Sequence, residues 1–211
     1  MAAPVITITR QYASGGSEIA RLVAAALGWE VIDNEFVDEV ARRAGLPAAE
    51  VAQREERAPG LLERLARTLS VASPELFMTA AAAPPVARDE GTLVALTERV
   101  IAEAAAHGRA VLVGRGAQAL LARRPDALHV YVVASKPWRR RLAVSRLGAD
   151  AATVDRVVDE TDRRRDQYVT VHYGRHRQDV VNYDLVVNTE RLGVEGASAL
   201  IVAEARRRGW G

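Results

Sequence analysis

The chain has 211 residues, of which 49% are hydrophobic and 27% charged, and its formal net charge is +2. This length suits one sizeable globular domain and is too short for two large ones. Because the sequence contains no cysteine, it excludes disulfides, thiolate metal sites and cysteine nucleophiles.

Nothing in the sequence indicates export or membrane insertion. The N-terminus has no basic stretch followed by an apolar core, so we predict no signal peptide. No apolar run approaches the ~20 residues that a membrane helix needs. We therefore expect a cytoplasmic protein without a membrane partner.

The positive charge is almost entirely arginine. Lys136 is the only lysine of the chain, and a compositional bias of the source genome would explain this by itself. In either case, any bound phosphate must be held by guanidinium groups and backbone N–H groups, since arginine forks match phosphate oxygens in bidentate fashion.

Five short apolar segments are predicted to form strands, over 5–9, 30–32, 110–113, 128–133 and 185–187. Most are continuous apolar runs without polar alternation, which is typical of strands covered on both faces. Helical patterns separate the segments, and this order favours βαβ units. The sequence therefore predicts an α/β fold built on a mostly parallel sheet.

The first predicted strand is followed at once by a small-residue turn and an amphipathic helix. The turn residues are Ala13, Ser14, Gly15, Gly16 and Ser17. A strand, a glycine turn and a helix in this order aim backbone N–H groups and a helix N-terminus at a phosphate. The usual P-loop has a lysine and a Ser/Thr after its glycines, and this turn lacks that lysine. A Gly-Gly turn can also be only a tight connection.

Glycine, proline and threonine mark the ends of the predicted helices, over 19–27, over 92–106, from 137, from 153 to about 165, and over 194–208. Thr92 and Thr153 are the expected N-caps, and Gly28 and Gly108 the expected stops. The segment 168–181 is predicted to be a polar loop before the last strand.

In an open parallel sheet, ligands bind in the crevice beyond the carboxyl ends of the strands. The residues that follow the carboxyl ends of four predicted strands are the turn 10–17, Asp33 with Glu35, Arg115 and Ser135. Asp33 has an equal alternative role as a helix cap. For Arg115 we predict a phosphate contact, because a charge between two glycines at the end of an apolar strand needs a partner.

The most basic part of the chain lies at 163–165 and 175–177. It is either a solvated helix end or a lid over a polyphosphate, where arginines stabilise a transferring phosphoryl group. Nucleic-acid binding is a minor alternative: tyrosines interleave with the basic residues, but acidic residues interrupt any basic face. The histidines show no metal-ligand spacing with acids, so the only metal expected is Mg²⁺ brought in with a nucleotide.

With these residues assembled, the chain resembles the cytidylate kinase-like family of P-loop nucleoside monophosphate kinases. The similar segments are ITITRQYASGGSEIA, VIDNEFVDEVARRAGL, VLVGRGAQALL, TDRRRDQY, HYG and NYDLVVNTERLGVEGA. The resemblance implies a three-layer, five-stranded P-loop core in a single domain, with a core of 1–34 and 92–211, a monophosphate-binding insertion of 35–91 and an arginine lid at 160–181. Within the insertion, 73–89 is expected to be a mobile loop or a surface insertion.

The implied reaction is phosphoryl transfer from ATP to CMP or dCMP with Mg²⁺. By position, Ser14 to Ser17 would bind the ATP phosphates, together with the preceding Ala13 of the turn. Asp33 and Arg115 would lie on the monophosphate side. The arginines expected at the transferring phosphate are Arg139, Arg163 and Arg164.

The sequence departs from the true cytidylate kinases at several of these positions. Those enzymes have lysine at the position of Gly16, a hydroxyl residue at that of Glu18 and an acid at that of Gly116. Many relatives also have a basic residue at the position of Ser17. The chain is therefore either an active kinase, in which Arg10 or a lid arginine supplies the missing charge, or a nucleotide-binding or regulatory protein without turnover. The sequence leaves the acceptor base and the oligomeric state open.

Overall fold

The computed structural model of the protein describes residues 3–33 and 90–211. Within these residues the strands are β1 (Val5–Arg10), β2 (Glu30–Ile32), β3 (Ala110–Val113), β4 (Ala127–Val133) and β5 (Leu185–Asn188). The helices of the same residues are α1 (Gly16–Leu27), α2 (Glu90–His107), α3 (Ala117–Leu120), α4 (Lys136–Leu147), α5 (Ala151–Tyr173) and α6 (Thr189–Arg207), with a 3-10 turn at Val180–Asn182. All five predicted strands are confirmed to within one residue at each end.

The strands form one sheet in the order β2-β3-β1-β4-β5. The central strand β1 pairs in parallel with β3, where Val5 faces Ala110, and with β4, where Val5 faces Ala127. β4 pairs in parallel with β5. Because parallel strands share one direction, the turn after β1 lies at the same edge of the sheet as the residues that follow β3 and β4. The predicted α/β class is confirmed.

The core explains why the strands are continuous apolar runs. Ile6, Ile8, Val111, Leu128 and Val130 are almost fully buried, as expected for strands covered on both faces. One core cluster joins these strands to apolar residues of α1 and α6. Burial of this apolar surface fixes β1, and with it the turn that follows.

Left-handed glycines end the helices as the sequence predicts. Gly28 ends α1 with a φ of 67°, and Gly108 follows α2 with a φ of 72°. The predicted N-caps are wrong in both cases. Thr92 lies inside α2, which includes Glu90. The cap of α5 is Asp150, whose side chain accepts hydrogen bonds from the N–H groups of Ala152 and Thr153, because its carboxylate stands at the position just before the first helical turn.

Two predicted boundaries near the C-terminus also change. The segment from Tyr168 is not a loop, because α5 continues to Tyr173 and buries Val169 before it ends at Gly174, whose φ is 61°. α6 begins at Thr189, five residues before the predicted start at Val194. The non-helical backbone of Gly193 (φ 68°, ψ 171°) divides α6 at that point, and this explains why the periodicity starts at Val194.

The chain forms two compact units, one of Met1–Val31 and Arg109–Gly211 and one of Ile32–Gly108. In the second unit, Val100, Ile101 and Ala104 of α2 are buried, as the helical spacing predicts. Almost all of the predicted insertion 35–91, including 73–89, lies outside the described residues, so the domain division stays a prediction. Among the described residues, no helix is both long enough and apolar enough to cross a membrane.

Candidate functional site

The turn between β1 and α1 has a strained backbone. Ala13 and Gly15 adopt left-handed conformations with φ of 58° and 83°. Ser14 is fully buried, and its hydroxyl donates to the carbonyl of Gln11 at 2.9 Å. The first N–H groups of α1 have no partner within the helix, so this turn presents backbone donors at the positive end of a helix dipole.

The side chain of Arg10 lies over the position where a P-loop has its lysine. A Cβ built on Gly16 would be 2.6 Å from Cβ and 2.9 Å from Cγ of Arg10. A Cβ built on Gly114 would collide with the guanidinium Nη1 of the same arginine. Arg10 therefore covers Gly16 with its stem and places its charge at the end of β3. Neither glycine can carry a side chain while Arg10 stays there.

A pocket of about 190 Å³ opens over the turn. Its lining is mainly polar and carries more cations than acids, namely Arg10, Gln11, Tyr12, Ala13, Ser14, Gly15, Gly16, Ser17, Glu18, Arg21, Arg146 and Arg165. All five predicted turn residues and Arg10 lie in this lining. Its four arginines exceed its one carboxylate, so the pocket favours a polyanion.

Glu18, in the first turn of α1, is the carboxylate of this pocket. Its side chain is about half exposed and lies 3.5 Å from the guanidinium of Arg146 in α4. Repulsion between this carboxylate and a bound phosphate chain is thereby reduced. The hydroxyl of Ser17 and the carboxylate of Glu18 are oxygen donors of the kind that Mg²⁺ prefers. The described residues contain no group of three or more His, Asp or Glu side chains that could hold a metal by themselves.

The arginine of α5 that reaches the pocket is Arg165, which belongs to the predicted basic segment 163–165 but is not one of the three arginines expected at the transferring phosphate. Its Nη1 donates to the carbonyl of Arg10 at 3.2 Å, and its guanidinium lies 5.9 Å from the ring centroid of Tyr12. Burial lowers the pKa of Arg165, although an arginine stays protonated at any physiological pH. The predicted lid arginines Arg163 and Arg164 are exposed, and Arg164 pairs with Glu160.

Arg139, the third arginine expected at the transferring phosphate, is buried instead of facing the pocket. It donates to the carbonyls of Ala134 at 3.2 Å and Tyr12 at 3.0 Å and to Asp162 at 2.7 Å. Arg139 is not among the described residues that line the pocket. These acceptors bind its Nε and Nη1 where α4 and α5 pack together, and they hold Arg139 in a buried network.

The other predicted residues lie at the ends of β2 and β3. Asp33 directly follows β2 and belongs to the second compact unit. Arg115 follows β3 after one residue, in a left-handed turn in which Gly114, Arg115 and Gly116 have φ of 75°, 52° and 71°. A left-handed conformation is unfavourable for a residue with a side chain, and such strain clusters at functional sites.

Gly116 stands where the resemblance places an acid, and Tyr173 of α5 occupies the space beside it. A Cβ on Gly116 would collide with the ring of Tyr173, 2.8 Å from Cζ and 3.0 Å from the hydroxyl oxygen. An aspartate at this position would therefore require Tyr173 to move. The absence of an acid at position 116 and the packing of Tyr173 of α5 against this position therefore go together.

Tyr183 fixes the loop between α5 and β5. Its hydroxyl donates to the carbonyl of Arg177 at 2.6 Å, and its ring stacks on Tyr131 with centroids 4.9 Å apart. Burial raises the pKa of Tyr183 to about 12, so the hydroxyl remains a neutral donor. Arg177, held in this way, lies 5.8 Å from the ring centroid of Tyr131 and reaches back to the phosphate-binding turn.

A signal for Arg165 exists in the sequence. Val154, Val158 and Val169 of α5 are buried, and helical spacing places Arg165 on the same side as Val158 and Val169. The adjacent arginines at 163 and 164 fall on the exposed side. The positions of the buried valines around the helix therefore distinguish Arg165 from the arginines at 163 and 164.

A five-stranded parallel sheet, with a glycine turn joining its central strand to a helix, is the core of P-loop kinases. The chain belongs to the cytidylate kinase-like family, whose family model matches residues 5–191. This membership supports a kinase-like, nucleotide-binding function. A comparison with curated proteins found no match.

Solved structures share this fold at low sequence identity. An uncharacterized protein from Eubacterium ventriosum ATCC 27560 is 20% identical with a TM-score of 0.67, over 97% of this chain and 98% of that one. Shikimate kinase from Bacteroides thetaiotaomicron is 12% identical with a TM-score of 0.51, over 96% and 98%. Shikimate kinase from Acinetobacter baumannii, in complex with shikimate, is 13% identical with a TM-score of 0.52, over 98% and 94%. These likenesses establish the fold alone.

Proposed function

We propose that this protein is a nucleoside monophosphate kinase that transfers a phosphoryl group from ATP to CMP or dCMP. The observation that carries the proposal is the position of Arg10, whose stem covers Gly16 and whose guanidinium contacts Gly114. Arg10 thus supplies a cation beside the phosphate-binding turn in place of the P-loop lysine. Its charge lies between that turn and the turn that carries Arg115.

The position of Arg10 gives each group around the turn a role in the proposed reaction. The backbone N–H groups of the turn 13–17 bind the β- and γ-phosphates of ATP, and Arg10 and Arg165 neutralise charge on the transferring phosphoryl group. Arg115 binds the acceptor monophosphate. Mg²⁺, when bound with ATP, would be held by Ser17 and Glu18 and would neutralise phosphate charge.

A coupled assay with ATP, Mg²⁺ and a panel of nucleoside monophosphates tests the proposal. We expect ADP formation with CMP or dCMP as acceptor. No ADP with any acceptor, at enzyme concentrations far above those that a typical kinase needs, would reject the kinase activity. No binding of ATP by calorimetry would reject nucleotide binding as well, and the arginines of α5 would then be tested against RNA over a range of salt concentrations.

The role of Arg10 is tested with Arg10→Met, which keeps a stem over Gly16 and removes the cation. Loss of a charge-assisted hydrogen bond is worth about 1.5–3 kcal/mol, so ATP affinity should fall roughly 10- to 100-fold. The matched control is Arg123→Met, since Arg123 is exposed and precedes β4 at the opposite edge of the sheet. Equal ATP affinity of the two variants would contradict the role of Arg10.

A second candidate function is nucleotide binding without turnover. It is favoured by one observation, the carboxylate of Glu18 in the pocket lining, which opposes negative charge on a transferring phosphoryl group. In this case calorimetry detects ATP, but the coupled assay yields no ADP. The two measurements therefore distinguish the candidates.

A further inference from the structure

The main chain at the start of the phosphate-binding turn is held by side chains from α4, from α5 and from the loop after α5. The N–H of Tyr12 donates to Oδ1 of Asp162 at 2.8 Å, and the carbonyl of Tyr12 accepts from Nη1 of Arg139 at 3.0 Å. The carbonyl of Arg10 accepts from Nη1 of Arg177 at 2.9 Å and from Arg165. Both sides of the Tyr12 main chain are therefore fixed.

Asp162 is the group that joins these contacts. Its Oδ2 accepts from Nη1 of Arg139 at 2.7 Å, while Nη2 of Arg177 lies 3.7 Å from its Oδ1. The side chains of Arg139, Arg177 and Asp162 are only 7%, 5% and 17% exposed. Arg177 also donates to Asp166 at 2.6 Å. Two buried cations are thus balanced by two carboxylates, and in such a setting removal of one partner strongly perturbs the rest.

The contacts of Asp162 act on the turn and not on the ligand. Asp162 is not part of the pocket lining, whereas Tyr12 and the five following residues are. The residue directly after Tyr12 is Ala13, which has a left-handed φ of 58°. A strained conformation of this kind persists only where surrounding contacts determine it. Hydrogen bonds to the N–H and the carbonyl of Tyr12 are such contacts.

We propose that Asp162 is a positioning residue, which holds the peptide groups of Tyr12 so that the N–H groups of 13–17 are oriented before a phosphate chain arrives. α5 then supports the phosphate-binding turn permanently and does not only close over it. The identity of the phosphate ligand rests on the proposed function, but the contact between Asp162 and the turn does not.

Hydrogen exchange of the backbone amides tests the proposal without any ligand. Asp162→Asn removes the charge and one acceptor for Arg139 in a side chain of the same shape. We expect the amides of Tyr12 and Ser14, which donate to Asp162 and to the carbonyl of Gln11, to exchange about tenfold faster or more, with β4 and α6 unchanged. The matched control is Asp159→Asn, since Asp159 lies on the same helix and pairs with Lys136 at the surface, and it should leave the turn unchanged.

Two results would overturn the proposal. Unchanged exchange at Tyr12 and Ser14 would show that Asp162 does not hold the turn, and equal acceleration in β4 and α6 would show a general loss of stability. If Asp162→Asn does not fold, Arg139→Lys is measured in its place. It keeps a positive charge beside Asp162 but loses the guanidinium fork that reaches Tyr12. The same two results would then overturn the proposal.

Calorimetry with inorganic triphosphate and with adenosine then separates positioning from folding. Asp162→Asn should weaken triphosphate binding about tenfold or more and leave any adenosine binding unchanged, because only the phosphate chain meets the turn. An equal loss for both ligands would contradict positioning. If the wild-type protein binds neither ATP nor triphosphate, the proposed function fails, while the exchange experiment still judges the role of Asp162.

Discussion

Restoring the missing P-loop lysine with Gly16→Lys should damage this protein rather than activate it. The new Cβ would lie 2.6 Å from Cβ and 2.9 Å from Cγ of Arg10. The Cβ is fixed by the backbone of β1, and the Cγ moves only if the whole side chain turns about its first torsion, so this part of the stem gives way less easily than a side-chain tip. Either the backbone of the turn moves or Arg10 leaves its contact with Gly114.

The magnitude follows from overpacking, which costs about 1–3 kcal/mol when side chains are forced off their preferred positions. For a chain of this size each kcal/mol lowers Tm by about 2–4 °C. Gly16→Ala is the informative companion, because it adds the same Cβ without a long side chain. Helix propensity alone would make that variant more stable by up to about 1 kcal/mol, so the sign of the change decides between the two effects.

Thermal unfolding of Gly16→Ala and Gly16→Lys measures the loss of stability, and calorimetry measures the affinity of each variant for ATP. Both variants should unfold at lower temperature than the wild-type protein, and neither should bind ATP more tightly. The double variant Arg10→Gly with Gly16→Lys removes the colliding atoms and should recover ATP binding relative to Gly16→Lys. A single Gly16→Lys variant that is as stable as wild type and binds ATP more tightly would refute the reasoning.

Gly116→Ala should destabilise the protein by roughly 1–3 kcal/mol in thermal unfolding, because its Cβ would meet a packed tyrosine ring; Gly148→Ala, with a similar φ and open space around it, isolates the smaller backbone term. Arg165→Ala should weaken ATP binding about tenfold or more in calorimetry, and unchanged affinity would argue against its place in the site. Hydrogen bonds, the strongest from Arg207, lower the pKa of Glu204 to about 2. Its stabilising effect is therefore complete above about pH 4.5 and is lost as pH falls toward 2, so Glu204→Gln should flatten the acid limb of a stability-against-pH profile.

The strands and the phosphate-binding turn were predictable because their signals are local. Strands buried on both faces are short runs such as 110–113 and 128–133, and these runs stand in the sequence without alternation. Parallel order then brings the turn after β1 to the same edge as Arg115. The class of fold and the position of the site along the chain follow from these two facts.

The end of α5 was not predictable in the same way. The polar residues from Tyr168 onward are typical of a loop, yet the helix continues to Tyr173. Tyr168 and Tyr173 lie with their ring centroids 6.2 Å apart, and Tyr173 packs on Gly116. This tertiary packing stabilises the last turns of the helix although their sequence does not favour it.

The sequence by itself determined the α/β fold, the glycine turn and the absence of a lysine at Gly16. The tertiary structure decided that Arg10 and Arg165 line the pocket and that Arg139 does not, although the valine spacing of α5 already separates Arg165 from its two neighbours. Arg139 points into a buried network and Arg165 into the pocket, while Arg10 covers Gly16 and reaches Gly114. Several of these contacts, namely Arg139 with Tyr12, Arg165 with Arg10 and Arg10 with Gly114, join residues that are about a hundred or more positions apart. Such contacts are set by the packing of whole elements rather than by any local pattern.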